Sequence, residues 1–518
     1  MKRENLGILI IGAGLLVVMV VYKLLAPSFD AEKKRVTSET GKASYDVTFA
    51  YDDWAGYVPL RSANMRANML ASGVNFLGVN DSANYQERMQ KLSEGKYDFV
   101  VATVDTYILN ASRIKDSEKF PGVIMMVIDT SNGGDAIVGI GNGAVQNLDD
   151  LRGKKGLRIA YTPNSPSDYL RKAIAHDFNI PELLTAEQIT TNGSEQALKK
   201  LLALKSDIAV LWEPDVSKSL QALGVVKLIG TEKTNGLIVD VLIMRRDLPQ
   251  EKPGVAESVI QNYFQTLKTL TDQPDLLVTE VMKTSKVSEE VAKTVIQGVS
   301  WENLTANAER WFGVSSSTGI TSQDLYDSIV RSVDVLTETK DLKSNPLPGN
   351  PPDPFTIIQS DYIKTEYGKI SGGSNAFLNF NKKQFKKFTE TEWNKLRPVG
   401  NLRVQNIRFR RGTYELTLDD KESLDMFAKI LDQYPKFRVV IEGHTAPGDN
   451  EDANQELSNY RAQVVGKYLE NNHSLDTNRY RALGYGSKKP PLRLEGETEK
   501  DLSFRKARVE IHLYQDQY

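Results

Sequence analysis

The sequence predicts an α/β protein of more than one folded unit behind an N-terminal apolar helix, and three observations carry that prediction. Short β-branched runs alternate with amphipathic segments from Tyr45 onward. A proline-rich stretch, Asn345 to Pro354, interrupts the pattern, and an unbroken apolar run opens the chain. A length of 518 residues agrees with two or three domains. Hydrophobic content of 40% suffices for packed cores, and a net charge of −2 offers no basic face, so no nucleic-acid partner is expected. Cysteine is absent, which removes disulfides, thiol nucleophiles and a lipid-modified cysteine anchor. The four histidines, His176, His444, His473 and His512, lack H-x-x-x-H spacing, so neither a metal site nor a cofactor is expected.

Taken in order, residues 1–5 form a short N-terminus carrying Lys2 and Arg3. Residues 6–26 are apolar apart from Lys23, which can snorkel, and reach the roughly 20 residues that a bilayer-spanning helix needs. The competing reading is a cleaved signal peptide, but no small-x-small cleavage site follows and the run is long for such a segment. Lys33, Lys34 and Arg35 lie just beyond it, so flanking charge orients the helix weakly. Residues 27–44 are polar and read as a spacer reaching roughly 50 Å when extended.

Residues 45–340 carry the alternating pattern. Val47–Ala50, Val74–Val79, Phe99–Ala102, Val123–Ile128, Leu157–Ala160 and Ile208–Trp212 read as strands, with helices such as Tyr85–Ser93 and Asp168–Asp177 between them. Ligand sites belong where such strands end in loops. Those loops hold Trp54 and Tyr57, Thr103 and Asp105, Ser131 and Asp135, and Trp212 with Glu213. Thr162, Ser165 and Ser167 open a helix and suit an oxyanion, whereas the aromatic rings beside carboxylates suit a quaternary amine, and the sequence leaves both open. Asp52 and Asp53 are adjacent, so extended backbone points them to opposite faces and they do not form an acid–base pair. Gly139–Gly143 lacks the helix opening of a dinucleotide loop and Gly313–Gly319 lacks nucleophile-elbow spacing, so no enzyme is indicated.

Trp54-Ala-Gly56-Tyr57, the L-x-x-G-K-x-D phrase at Leu92–Asp98, Asn147–Lys155 and Trp212-Glu213-Pro214 resemble the two-lobed periplasmic substrate-binding proteins of the type II fold, above all the nitrate, taurine and thiamine-precursor binders. The resemblance implies lobe one from Tyr45 to about Asp129 with a return after about Val239, lobe two between them, hinges near Ser131 and Asn235, and a small-molecule solute in the cleft.

Beyond it, segments between Asp272 and Thr339, with Trp301 and Trp311, read as helices packed on this domain. Residues 341–356 read as a stiff proline-rich linker reaching about 30 Å. Residues 357–400 read as an adaptor with a basic helix candidate at Lys382–Leu396.

In residues 401–518, Phe437–Ile441 reads as a strand entering a loop with Gly443, Pro447 and Gly448, followed by a helix from Asn454 to Glu470. Gly443-His444-Thr445, Asn454, Leu457-Ser458 and Arg461-Ala462, with Ile407-Arg408-Phe409, Gly484-Tyr485-Gly486 with Pro490, and Arg508-Val509-Glu510-Ile511, resemble the OmpA-like peptidoglycan-binding domain, an α+β fold. The resemblance implies a peptidoglycan stem peptide bound by Thr445, Asn454, Arg461 and Arg508. The acid usual after G-H-T is Ala446 here, with Asp449 or Asp452 as its substitute, and Lys506 and Ala507 depart from the family's terminal motif. It also implies an inner-membrane, single-pass protein with a cytoplasmic N-terminus and its bulk in the periplasm, acting as an envelope sensor or assembly component. The alternatives are a scaffold of degenerate, ligand-free modules contacting other envelope proteins, and a tethered solute-binding component of an ABC-type transporter.

Overall fold

The computed structural model describes residues 43–114, 120–140, 145–314, 322–370, 385–402, 407, 409, 412–448, 450–491, 493 and 496–515. The expected membrane helix lies outside them, as does nearly all of the spacer; among the described residues no helix is long and apolar enough to cross a membrane.

Strands β1 (Tyr45–Tyr51), β2 (Val74–Asn80), β3 (Phe99–Thr103) and β4 (Gly122–Ser131) begin a first sheet. The chain then passes to β5 (Asp135–Ile140), β6 (Arg158–Tyr161), β7 (Glu187–Thr190), β8 (Ile208–Trp212) and β9 (Val225–Gly230), and returns through β10 (Val239–Arg245) and β11 (Val299–Trp301). Among the described residues these make a six-stranded sheet, β11-β4-β10-β3-β1-β2, and a five-stranded sheet, β7-β6-β8-β5-β9. Each mixes parallel neighbours, β1 with β2 and β6 with β7, with an antiparallel returning strand, β10 or β5. The β4 strand is buried along its whole length, which is why Val123–Ile128 within it reads as a continuous apolar run rather than an alternating one.

The chain crosses between lobes at 131–135 and 230–239, where the hinge segments are expected. Both crossings are tied together: Ser131 N–H donates to Ile238 O at 3.1 Å, and the Ser131 and Thr231 hydroxyls lie 2.7 Å apart. Helix Asp324–Glu338 packs against helix Val104–Ala111 of lobe one and Pro166–Asp177 of lobe two, bridging them behind the cleft.

The proline-rich stretch is not the extended spacer its composition predicts. Leu347 and Ile357 are buried, Ile358 bridges Ile124 of β4, and Arg246 donates to Thr356 O at 2.9 Å. Apolar side chains set among the prolines favour packing over a solvated extended chain. Helix Asp361–Ile370 continues this layer against helix Val255–Asp272. Residues 371–384 lie outside the described residues; among the described residues of the basic helix candidate, Glu390–Trp393 is helical, opened by a Thr389–Glu392 capping box. It stops there because β12 (Arg397–Asn401) pairs with the last strand of the next sheet.

That third sheet, among the described residues, has the order β12-β15-β13-β14, with β13 Arg438–Gly443, β14 Tyr480–Gly484 and β15 Val509–Gln515. Helices Leu418–Asp432 and Glu451–His473 complete the expected α+β unit. The second starts before the expected Asn454 because Asn450 caps it, accepting from Ala453 N–H at 3.0 Å. The turn after helix Leu418–Asp432 docks this unit on the first two lobes. Tyr434 donates to Asp177 Oδ2 at 2.5 Å and packs edge-on to Phe178, and Asn235 N–H donates to Gln433 O at 2.6 Å.

Candidate functional site

Between the lobes, Asp52, Trp54, Tyr57, Thr103, Asp135, Pro166, Trp212, Ile238 and Asp240 line a narrow cleft of about 10 Å³, and a separate recess of about 300 Å³ is bordered by Asn84, Tyr85, Asn110, Thr162, Asn164 and Thr191. Strand ends supply the walls: Asp52 and Trp54 follow β1, Thr103 ends β3, Asp135 begins β5, Trp212 ends β8 and Asp240 lies in β10. The Trp54 indole N–H donates to Asp129 Oδ1 at 3.1 Å, and the Tyr57 hydroxyl donates to Asp240, so both rings are held by carboxylates. Asp52 is buried and accepts from Trp54 N–H, Tyr85 OH and Arg88, while the Asp53 side chain is 66% exposed and accepts from Asn80. Their opposite facing is what the period-2 backbone requires.

The cleft is electronegative. Burial pushes the carboxyls of Asp105 and Asp135 up to about 7, and Asp129 and Asp240 are raised further by burial and by the neighbouring acids. None of the described lining residues is basic. Arg88, which is buried nearby, is committed to Asp52 and Asp81.

The hydroxyl group of residues reads differently from its sequence. Ser165 sits at the N-cap of helix Pro166–Asp177 but donates its hydroxyl to Thr162 O at 2.5 Å, and Thr162 Oγ1 accepts from Gly193 N–H at 3.2 Å. Ser167 Oγ is buried with no hydrogen-bond partner among the described residues. Lys172, one turn further along, is held by Asp168 and Asp341 at 2.8 Å each, so the charge of that helix is neutralised internally. Glu213 also turns away from solute: it caps the next helix, accepting from Ser217 N–H at 3.0 Å and Ser217 Oγ at 2.7 Å. Ser131 belongs to the crossing between lobes rather than to the cleft wall.

In the third sheet, the loop after β13 is set by backbone closeness. A Cβ on Gly443 would stand 2.0 Å from Ser458 O, so the helix packs directly on the strand end. Ser458 Oγ accepts from Gly486 N–H at 2.9 Å and Thr445 N–H donates to Gly486 O at 2.9 Å, which joins the Gly443–Thr445 and Gly484–Gly486 turns. Thr445 Oγ1 and Asn454 Nδ2 are buried without a hydrogen-bond partner among the described residues. Arg461 is buried, donating from Nε to Thr413 O at 2.9 Å and from NH1 to His444 O at 3.3 Å, and burial pulls its pKa down. An anion meeting this loop finds a desolvated guanidinium, a hydroxyl, an amide and a helix N-terminus within one short span of chain. Arg508 is turned elsewhere, its Nε donating to Glu510 Oε1 at 2.6 Å. Asp449, one of the two expected substitute acids, lies outside the described residues, and Asp452, the other, is exposed in the first turn of helix Glu451–His473.

The sequence from residue 408 to residue 501 matches the model of the OmpA family. This segment is an OmpA-family domain. A stretch of 90 residues is 30% identical to outer membrane porin F of Pseudomonas aeruginosa, covering 17% of this chain and 26% of the porin. Beyond the OmpA domain, the chain is similar in structure to the ligand-binding component of an ABC-type import system from Staphylococcus aureus, solved with zinc bound (12% identity, TM-score 0.47, 62% of this chain and 98% of that one). It is also similar to the periplasmic aliphatic sulphonate-binding protein of Escherichia coli (14% identity, TM-score 0.46, 61% of this chain and 99% of that one).

Sequence reasoning named Trp54, Tyr57, Thr103, Asp135 and Trp212, which the structure gathers in the cleft, but missed Asp240. Its signal is an acid inside the apolar β10 run Val239–Arg245, an arrangement that costs free energy unless the charge is neutralised or used. In the OmpA domain, linear spacing also hid the proximity of two histidines. His444 and His512 come from β13's end and β15, and Glu442, His444 and Glu510 offer atoms within 4.8 Å of one another.

Proposed function

We propose that this is a non-catalytic cell-envelope protein whose two-lobed part binds a small cationic solute and whose OmpA domain holds a peptidoglycan stem peptide non-covalently. The observation that carries the first half is the cleft wall: Asp52, Asp135 and Asp240 stand among Trp54, Tyr57 and Trp212 with no basic lining residue among those described. Ring faces and carboxyl oxygens suit a desolvated ammonium group, and no described lining residue is basic to hold an anion, so of the two solutes the quaternary amine fits. The second half is supported by Thr445 Oγ1 and Asn454 Nδ2, buried without a hydrogen-bond partner among the described residues, and by buried Arg461. In this reading residues 6–26 anchor the chain in the inner membrane, residues 27–44 space it from the bilayer, and the protein serves as an envelope sensor or assembly component.

Thermal unfolding of the full chain against quaternary and primary amines, alkylsulfonates and phosphate tests the solute. Amines raise the melting temperature and Trp54→Ala removes the effect; stabilisation by sulfonates or phosphate alone overturns the reading. Retention on purified peptidoglycan tests the wall site, with Arg461→Ala reducing it about tenfold or more, in the range of a lost charge-assisted hydrogen bond. A scaffold whose modules bind nothing gives no response in either assay.

A further inference from the structure

The OmpA domain carries the tripeptide E-x-H twice, as Glu442-Gly443-His444 and Glu510-Ile511-His512. Antiparallel pairing of β13 with β15 sets Glu442 opposite Glu510 and Val440 opposite His512, and His444 N–H extends the ladder to Arg508 O at 2.9 Å. Alternation along each strand then puts both glutamates and both histidines on one face, away from Val509, Ile511 and Leu513, which pack the core. Two carboxylates directly opposed across a ladder repel, so this face favours cations, and Arg508 and Lys489 already pair with the outer sides of the two glutamates.

Its geometry fits one of a particular kind. His444 Nε2 lies 3.9 Å from Glu442 Oε2 and 3.6 Å from Glu510 Oε2; His512 Nε2 lies 3.8 Å and 3.4 Å from the same two oxygens. Glu442, His444 and Glu510 offer ligand atoms within 4.8 Å of one another, and His512 approaches both glutamates as a fourth donor, at separations near the about 3.3–3.6 Å between donors of a tetrahedral ion bound at 2.0–2.2 Å. Both nitrogens of His444, which is 1% exposed, and Nε2 of His512 are buried without a hydrogen-bond partner among the described residues. Buried imidazole nitrogens ordinarily find partners, so their being aimed at two carboxylates is the second, independent sign of a missing ligand. The glutamates are already oriented by groups behind them: Arg508 Nε holds Glu510 Oε1 at 2.6 Å, and Lys489 Nζ reaches Glu442 Oε1 at 3.2 Å and Oε2 at 3.0 Å. Such outer partners fix metal-binding carboxylates in place.

We propose that Glu442, His444, Glu510 and His512 form a site for a divalent transition-metal ion of the zinc class. Two imidazoles and two carboxylates suit zinc and its neighbours better than magnesium or calcium. The site is distinct from the solute cleft; it adjoins the Thr445–Arg461 loop, whose Arg461 NH1 donates to His444 O at 3.3 Å, but uses the imidazole of His444 and does not depend on either of the other sites binding anything.

The test uses the full chain stripped with chelator and titrated with Co²⁺, whose visible spectrum reports tetrahedral geometry. One equivalent is expected to bind with intense tetrahedral bands that stoichiometric Zn²⁺ displaces. His512→Ala and Glu510→Gln each abolish the bands and weaken Zn²⁺ binding at least tenfold, while His176→Ala and His473→Ala, at the other histidine–carboxylate pairs, change neither. Melting with and without Zn²⁺ guards against a folding defect: a His512→Ala chain that melts like the stripped parent but gains nothing from Zn²⁺ supports the site. Absent or octahedral bands, or Zn²⁺ stabilisation undiminished in His512→Ala, overturn it.

Discussion

At the scale of single residues, the acids of the cleft make the clearest statement. Asp105 and Asp135 keep their protons to about pH 7 in the folded chain, well above the roughly 3.9 of an unfolded aspartate. Between those values the folded state binds more protons than the unfolded one, so stability falls as pH rises from about 4 to about 7. Asp135→Asn should therefore raise the melting temperature at pH 8 and leave it nearly unchanged at pH 4, which thermal unfolding at the two values checks. An amine bound against these groups stabilises their ionised forms, so its affinity should increase from pH 6 to pH 8, by up to about tenfold per proton released per pH unit; calorimetric titration measures this. Gly443→Ala, whose methyl would meet Ser458 O at 2.0 Å, should cost about 3 kcal/mol, read by denaturant unfolding. Much of this was legible beforehand. Trp54 among acids and Gly443 before His444 stand out in the sequence, whereas Asp240 and Asp129 acquire meaning only when β10 and β4 pair beside the cleft.

At the scale of elements, helix Glu451–His473 shows how local signals are read and misread. Its apolar spacing is visible from Leu457 onward, so the sequence places its start at Asn454; the true first turn, Glu451 to Ala453, is polar and exposed and is announced only by the Asn450 cap. Asn450→Ala should lower stability by about 1 kcal/mol, measurable by chemical denaturation. Helix Tyr85–Ser93 coincides with its expected bounds because an apolar stripe and a following Gly95 mark it at both ends. The proline-rich segment misleads for the opposite reason. Composition reports the stiffness of its backbone, but Leu347 and Ile357 decide where it goes, and they bury themselves against lobe one.

At the scale of the whole molecule, the OmpA domain is not loosely strung from the rest. Phe178, Tyr434 and Phe437 stack in one cluster, and Asp177 receives Tyr434 and Arg331. Burial opposes ionisation of Asp177, but Arg331, His176 and Tyr434 outweigh it and hold its carboxyl below the ordinary range. That contribution is present above the unfolded value near 3.9 and is lost only as pH falls through the lower folded one, so the units should remain docked at pH 5. Tyr434→Phe, which removes a hydrogen bond to a charged group worth about 1.5–3 kcal/mol, should split the calorimetric unfolding profile into separable transitions. No sequence signal pointed to this contact, since Phe178 and Tyr434 are ordinary apolar positions of two helices 256 residues apart in the chain. The same turn meets both crossings between lobes, through Asn235 N–H to Gln433 O and Lys436 Nζ to Asn132 Oδ1 at 3.5 Å. A displacement of the third unit is thus delivered to the pivot between the two lobes rather than absorbed by slack.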